Sequence, residues 1–196
     1  MGWRWATDSV VLMTKRRKVI VHIAASADGY IARPDGDIDW LTSRPAPKGF
    51  YGMDAFIKSI DTTVLGRKTY EESLRLGATF DAKKGRTVVF SRSAAPADAP
   101  EGVEFVSGAI GEFVRRLREQ RGKDIWLMGG GDLIASFLDE HAIDEFVVSV
   151  VPVFIGDGIP LIARRHRHVL LDLQSVERFD DGLVQLRYRV RLQSLE

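Results

Sequence analysis

Three adjacent glycines, Gly129, Gly130 and Gly131, follow the apolar run DIWLM and precede DLIASFLDE, so they stand where a strand gives way to a helix near Asp132. Unpaired backbone N–H groups and the dipole at a helix start attract phosphate, and a chain without Cβ atoms lets a ligand come close. The same glycines also make a tight turn with no ligand. A second segment, VLGRKTYEE (residues 64–72), sets Gly66 before Arg67, Lys68 and Thr69, two cations and a hydroxyl suited to a phosphate. A third, VVFSRS, ends a strand with Ser91 and Arg92, where an open α/β sheet binds ligands beyond the carboxyl ends of its strands. Each alone also reads as solvated surface charge. Together they point to a dinucleotide carrying an extra phosphate.

The elements that must position these residues alternate along the chain. KVIVHIAAS (residues 18–26) is a β-branched strand, and RPDGD (residues 33–37) is a turn. DAFIKSI is a helix, TTVLG a strand, RKTYEESL a helix, RTVVFS and VEFVS strands. In IGEFVRRLREQRG, Ile110, Phe113, Val114 and Leu117 share one helical face, while Glu112, Arg115, Arg116 and Glu119 take the other. DIWLMG is a strand, DLIASFLDE a helix, and FVVSVVPVFIG (residues 146–156) a buried strand too short to span a bilayer. Strands alternating with helices need crossover connections, which predicts a largely parallel sheet covered on both faces. The end differs: Leu186, Tyr188, Val190 and Leu192 alternate with Gln185, Arg187, Arg189 and Arg191, the period of a strand with one wet face. With VLLDLQSVERFDDG before it, this strand closes an antiparallel hairpin across DDG.

Composition narrows the function classes. A chain of 196 residues with 45% hydrophobic side chains can bury one sizeable core, and 28 Lys and Arg against 27 Asp and Glu leave no net field toward nucleic acid or a membrane. The basic run RRHRH (residues 164–168) reads as a solvated loop. Zero cysteines exclude disulfides and thiolate ligands, and His22, His141, His166 and His168 lack metal-binding spacing, so no metal is expected. This composition fits the cytoplasm. Residues 1–17, with a basic cluster after a short apolar run and a second methionine at Met13, are read as a disordered tail and not a signal peptide, leaving one domain over residues 18–196.

The order VIVHIAASADGYIA, TVLGRKTYE, TVVFSRS, IWLMGGGDLI and VPVFIGDGIPLI resembles the dihydrofolate-reductase-like superfamily, and in it the branch similar to the C-terminal reductase domain of bacterial riboflavin biosynthesis proteins. The resemblance implies a three-layer α/β sandwich with a mostly parallel central sheet, helices on both faces and a C-terminal antiparallel hairpin. It implies NADPH held by Gly66, Arg67, Lys68 and Thr69, and by Gly129, Gly130 and Gly131 with Asp132 and Leu133 behind them. Ser91 and Arg92 would lie by the adenosine and its 2′-phosphate, Ala25 and Ile31 near the nicotinamide, and the Gly-Gly peptide is often cis in this family. Typical dihydrofolate reductases carry a pterin-binding carboxylate before the Gly-Arg motif, but PKGFYGMDAF puts Phe50 and Tyr51 about there and Asp54 a turn later. The chain also has neither the length nor the cysteines for a zinc deaminase domain. It resembles the stand-alone members.

Reduction by hydride needs a proton donor near the acceptor. Asp39 and Tyr51 are the candidate catalytic residues, and Asp28 and Trp40 the candidate substrate contacts. Asp28 in ADGYIA also fits a glycine-assisted turn, Asp39 in DIDWL a helix cap, and Trp40 a core position. The resulting expectation is an NADPH-dependent reductase of a small heterocyclic or carbonyl substrate; the alternative is a non-catalytic nucleotide-binding or regulatory protein on the same fold. In the resembling reductases the C-terminal strands help form a dimer. A homodimer is expected here, with Arg187, Arg189 and Arg191 pairing across the contact with Asp180 or Asp181.

Overall fold

The computed structural model describes residues 16–45, 47–165 and 167–191. Its main sheet is built from β1 (Val19–Ser26), β3 (Ile60–Gly66), β4 (Arg86–Phe90), β5 (Val103–Val106), β6 (Asp124–Gly129), β7 (Glu145–Val151), β9 (Leu171–Arg178) and β10 (Val184–Val190), in the order β5-β4-β3-β6-β1-β7-β10-β9. Pairing is parallel from β5 through β7, and β10 runs antiparallel to both β7 and β9. The helices are α1 (Asp39–Thr42), α2 (Met53–Ser59), α3 (Arg67–Arg75), α4 (Ile110–Glu119) and α5 (Gly131–Asp139). A small ribbon pairs β2 (Tyr30–Ala32) with β8 (Ile159–Pro160). The alternation of strand and helix is therefore realised as the predicted mixed, mostly parallel sheet.

Each face of the sheet carries its own core. On one, Val19, Val21, Val64, Val88, Ile125 and Leu127 meet Phe113, Val114 and Leu117 of α4 and Ile134, Phe137 and Leu138 of α5, all buried. The predicted apolar stripe of α4 is the stripe that packs. On the other face Phe56 of α2 covers Ile20 and Val147, and Tyr70 of α3 covers Leu65 and Val89. His22 lies on this second side, edge-on to Phe56 at 4.5 Å, and burial followed by the Arg187 charge lowers its pKa to about 4. Among the described residues no helix is long and apolar enough to cross a membrane.

Several expectations change. Residues 1–15 of the expected tail lie outside the described residues, but Arg17 is 4% exposed and donates to the carbonyls of Lys123 and Leu117 and to Thr62 Oγ1 while pairing with Asp61. It ties the starts of β3 and β6 together, because a buried guanidinium must place its donors. The run FVVSVVPVFIG is strand only to Val151: Pro152 has no N–H for the ladder, the chain turns, and Phe154 is 79% exposed. The hairpin arginines pair within the chain, Arg187 with Glu145, and Arg189 and Arg191 with Asp172, so they do not seek Asp180 or Asp181 across a contact. Leu192 and His166 lie outside the described residues.

Candidate active site

β3 and β6 are neighbours in the sheet, so the two strand-glycine-helix segments end side by side. A Cβ on Gly66 would touch Gly129 O at 3.8 Å, Gly130 N at 3.9 Å and Leu133 Cβ at 3.9 Å. One on Gly130 would lie 3.2 Å from Thr69 Oγ1 and 3.9 Å from Ile31 Cδ1. Gly66, Thr69, Gly129, Gly130, Leu133 and Ile31, drawn from three separate stretches of sequence, thus line one cradle. The helices α3 and α5 both start at it, and their free N–H groups face the same way along parallel strands. The Gly129–Gly130 peptide is cis.

The glycines divide the work. Gly131 is buried at the start of α5, and a Cβ there would overlap the carbonyl oxygen of Pro160 in β8, so this glycine is required by packing. Gly158, in the GDG turn, likewise has no room beside Ala32 O, which joins the turn to the β2–β8 ribbon. Gly130 alone of the triplet combines φ −83°, which any residue adopts, with a Cβ direction into the cradle.

At the end of β4, Ser91 caps its own loop, accepting from the Ser93 N–H at 3.1 Å and donating to the Ser93 carbonyl at 2.8 Å. Arg67 reaches across to that loop, donating to the Ala94 carbonyl at 2.7 Å. Lys68 and Arg92 are exposed, and Asp132 opens α5 toward solvent. Ala25, 2% exposed, lies near the carboxyl end of β1, which pairs with β6. The predicted cofactor residues therefore converge on the carboxyl edge of β1, β3, β4 and β6.

The predicted acid and substrate residues divide differently. Trp40 and Tyr51 share a cluster with Ala24, Val151 and Leu183, on the α2 side of the sheet. Trp40 is 7% exposed, and its indole Nε1 has no hydrogen-bond partner among the described residues. A buried donor without a partner marks a place where a ligand or water must accept. Asp28 and Asp39 join neither group. Asp28 accepts from Ser26 Oγ at 2.6 Å and from the N–H groups of Ile155 and Gly156, which holds its carboxyl below the usual range and pins the loop after β7. Asp39 is taken by Arg33 at 2.7 Å, which lowers its pKa; it is the first residue of α1 and not its cap, the cap position is Ile38 with no side-chain capping bond, and the Asp37 carboxylate accepts the Asp39 N–H.

Tyr51 sits in a run of left-handed backbone, with φ of 81° at Gly49, 48° at Phe50, 55° at Tyr51 and 79° at Gly52. Two non-glycine residues in that region cost on the order of 1 kcal/mol each, so the surroundings must over-determine the turn. They do: the Tyr51 hydroxyl donates to Asp181 Oδ2 at 2.6 Å, Arg44 donates to the same oxygen at 2.9 Å, Phe179 packs edge-on against the ring at 5.0 Å, and Gln185 donates to the Tyr51 carbonyl. Arg44, Phe179 and Gln185 escaped sequence reasoning, and nothing local signals them, since Tyr51 and Asp181 are 130 residues apart.

The Tyr51 hydroxyl, then Arg44, hold the Asp181 carboxyl at about 2, down from 3.8. A carboxylate depressed in the folded state stabilises it above the unfolded pKa and loses that contribution as pH falls through the folded one. Asp181 therefore contributes fully at neutral pH and progressively less from pH 3.8 to about 2. Asp181→Asn is expected to lower the thermal midpoint at neutral pH and to narrow its gap from wild type as pH drops through that window. A gap that stays constant with pH refutes it.

Known proteins resemble this chain in sequence and fold. Residues 17–185 match the family model of the RibD C-terminal domain. The uncharacterized protein YwjB of Bacillus subtilis is 38% identical over 172 residues, covering 88% of this chain and 97% of its own. Among solved structures, a candidate riboflavin biosynthesis protein from Shewanella sp. PV-4 superposes with a TM-score of 0.79 at 29% identity, over 89% of this chain and 99% of that one. The diaminohydroxyphosphoribosylaminopyrimidine deaminase/5-amino-6-(5-phosphoribosylamino)uracil reductase of Thermotoga maritima gives 0.69 at 21% identity over 90% of this chain and 57% of that longer one. A dihydrofolate reductase of Enterococcus faecalis, complexed with NADP(H), gives 0.58 at 17% identity over 88% of this chain and 96% of its own, a likeness of fold.

Proposed function

Because the chain belongs to the RibD C-terminal domain family, whose fold it shares with dihydrofolate reductase, we propose that it is an NADPH-dependent reductase of a small heterocyclic or carbonyl substrate. The observation that carries this reading is the cradle where Gly66, Thr69 and Gly130 meet between the starts of α3 and α5. Open backbone there suits a pyrophosphate, and Arg67, Lys68 and Arg92 supply charge for a further phosphate.

NADPH, when bound, supplies the hydride. The chain's own residues would do the rest: the N–H groups at Arg67 to Thr69 and at Gly131 and Asp132 would hold the phosphates, the Leu133 N–H being taken by the Gly130 carbonyl, and Ala25 and Ile31 would flank the nicotinamide end. Trp40 donates its unpaired indole N–H to the substrate. Tyr51, its proton committed to Asp181, presents only lone pairs and so accepts a hydrogen bond from the substrate.

One observation favours a second reading, a nucleotide-binding protein without turnover. Asp28, Asp39 and Asp181 are held ionised by partners, and the Tyr51 proton points at a carboxylate, so none of them is poised as an acid. Turnover separates the readings. A panel of pyrimidine, pteridine and carbonyl compounds, followed by NADPH absorbance loss, is expected to yield substrates. Tight NADPH binding with no oxidation across the panel would favour the second reading.

We propose further that the chain works as a cytoplasmic homodimer. Leu171, Leu173 and Val176 on the edge strand β9 are 42%, 55% and 57% exposed, an apolar strip that a monomer would leave wet. Light scattering at micromolar concentration is expected to give twice the 21.9 kDa chain mass, and Leu173→Glu is expected to shift it to one chain. A wild-type mass of one chain rejects the dimer.

A further inference from the structure

Arg67 is the first residue of α3, at the helix's positive end, where a cation is disfavoured unless an anion sits nearby. Its Nε donates to Glu71 Oε1 at 2.8 Å, its Nη1 donates to Ala94 O at 2.7 Å and lies 3.5 Å from Ser91 Oγ, and its Cζ stands 5.6 Å from the centre of the Phe105 ring. Nη2 makes no hydrogen bond among the described residues. The guanidinium is thus fixed on three sides with one nitrogen left over. It stands between the carboxyl ends of β3 and β4, at the rim of the phosphate cradle.

The pair with Glu71 does not serve the helix. Arginine ahead of glutamate at this spacing is the weaker order, and it opposes the dipole. Two other pairs of the same spacing, Arg115–Glu119 and Arg116–Glu112, leave every member between 56% and 62% exposed and have no third contact of this kind. Arg67 is 29% exposed, which marks it as a built receptor and not a surface ornament. Glu71 itself is 55% exposed and held at one oxygen, so it is the loose partner.

We infer that Glu71 is a specificity-determining residue of the cofactor site, a competitor for the Nε/Nη2 edge of Arg67 that only a more strongly bound anion displaces. A planar guanidinium offers that edge as a bidentate seat for phosphate. A 2′-phosphate dianion takes it from a screened, exposed carboxylate; a ribose 2′-hydroxyl, with no charge, does not. Glu71 therefore keeps Arg67 in its receptor geometry when the site holds no phosphate. The inference rests on the NADPH reading above.

The test is calorimetric titration of adenosine 2′,5′-bisphosphate and of adenosine 5′-monophosphate into wild type, Glu71→Gln, Arg67→Ala and the double variant. Removing an exposed competitor of this spacing, together with its charge beside a dianion, is expected to tighten the bisphosphate about three- to tenfold in low salt. Affinity for the monophosphate should stay within about twofold, and the gain should vanish in the Arg67→Ala background, since coupled residues do not add. If wild type prefers the bisphosphate and Glu71→Gln leaves that affinity unchanged or weaker, Glu71 is no competitor, and the NADPH reading stands. If wild type does not distinguish the two nucleotides, Arg67 receives no 2′-phosphate and both fall.

Discussion

Gly130→Val is expected to weaken NADPH binding at least a hundredfold, about 3 kcal/mol, while the protein stays folded. The Cβ enters the cradle 3.2 Å from Thr69 Oγ1 and 3.9 Å from Ile31 Cδ1, a fit a threonine rotamer change relieves, at a backbone dihedral open to any residue. The methyl groups then occupy the space the pyrophosphate needs. Gly131→Ala is the matching control with the opposite outcome. Its Cβ runs into the carbonyl of Pro160, which is backbone and cannot step aside, so several kcal/mol of stability should go, in the range of severe overpacking. Calorimetry with NADPH and thermal unfolding on both variants separate binding from folding. Normal NADPH affinity in Gly130→Val would falsify the phosphate reading of the glycine triplet.

NADPH is expected to bind well over tenfold more tightly than NADH. On the proposed reading Arg67, Lys68 and Arg92 would be the cations that meet a 2′-phosphate, and charge-assisted contacts contribute about 1.5–3 kcal/mol each. Two of them suffice for the expected ratio even after desolvation takes its share. Because Lys68 and Arg92 are exposed, the preference should shrink as salt rises toward the molar range, where screening acts over roughly 3 Å. Arg67, less exposed and fixed by Ala94 and Phe105, should account for what survives. Equal dissociation constants for the two dinucleotides reject this.

The strand-to-helix turns proposed for the cofactor were legible because their signals are local. A glycine at the end of a β-branched run, followed by a helical period, implies a strand-to-helix turn wherever the strand lies, and parallel strands carry such turns to the same edge. The candidates Arg67, Thr69 and Gly130 were picked out with no partner from elsewhere. The acid side was not legible, since ionised state and reach depend on what stands opposite. Asp28 looks like any turn aspartate until Ile155 and Gly156 offer it their N–H groups. Asp39 looked like a cap, yet the cap position falls on Ile38 and Arg33 takes Asp39.

By itself the sequence determined the mostly parallel sheet, the faces of α4, the closing hairpin and the convergence of the glycine turns that follow β3 and β6. Side-chain period and glycine placement act over a few residues, and a sheet has few ways to satisfy them. Only the tertiary structure decided which glycine of the triplet is spent on packing, because that depends on how close β8 passes to α5. It alone decided that Tyr51 turns its proton to Asp181, across 130 residues of chain, and that the hairpin arginines are already paired at home. Hydrogen bonds and ion pairs demand distances of about 3 Å between particular atoms, and no local pattern encodes a meeting of side chains from opposite ends of the chain.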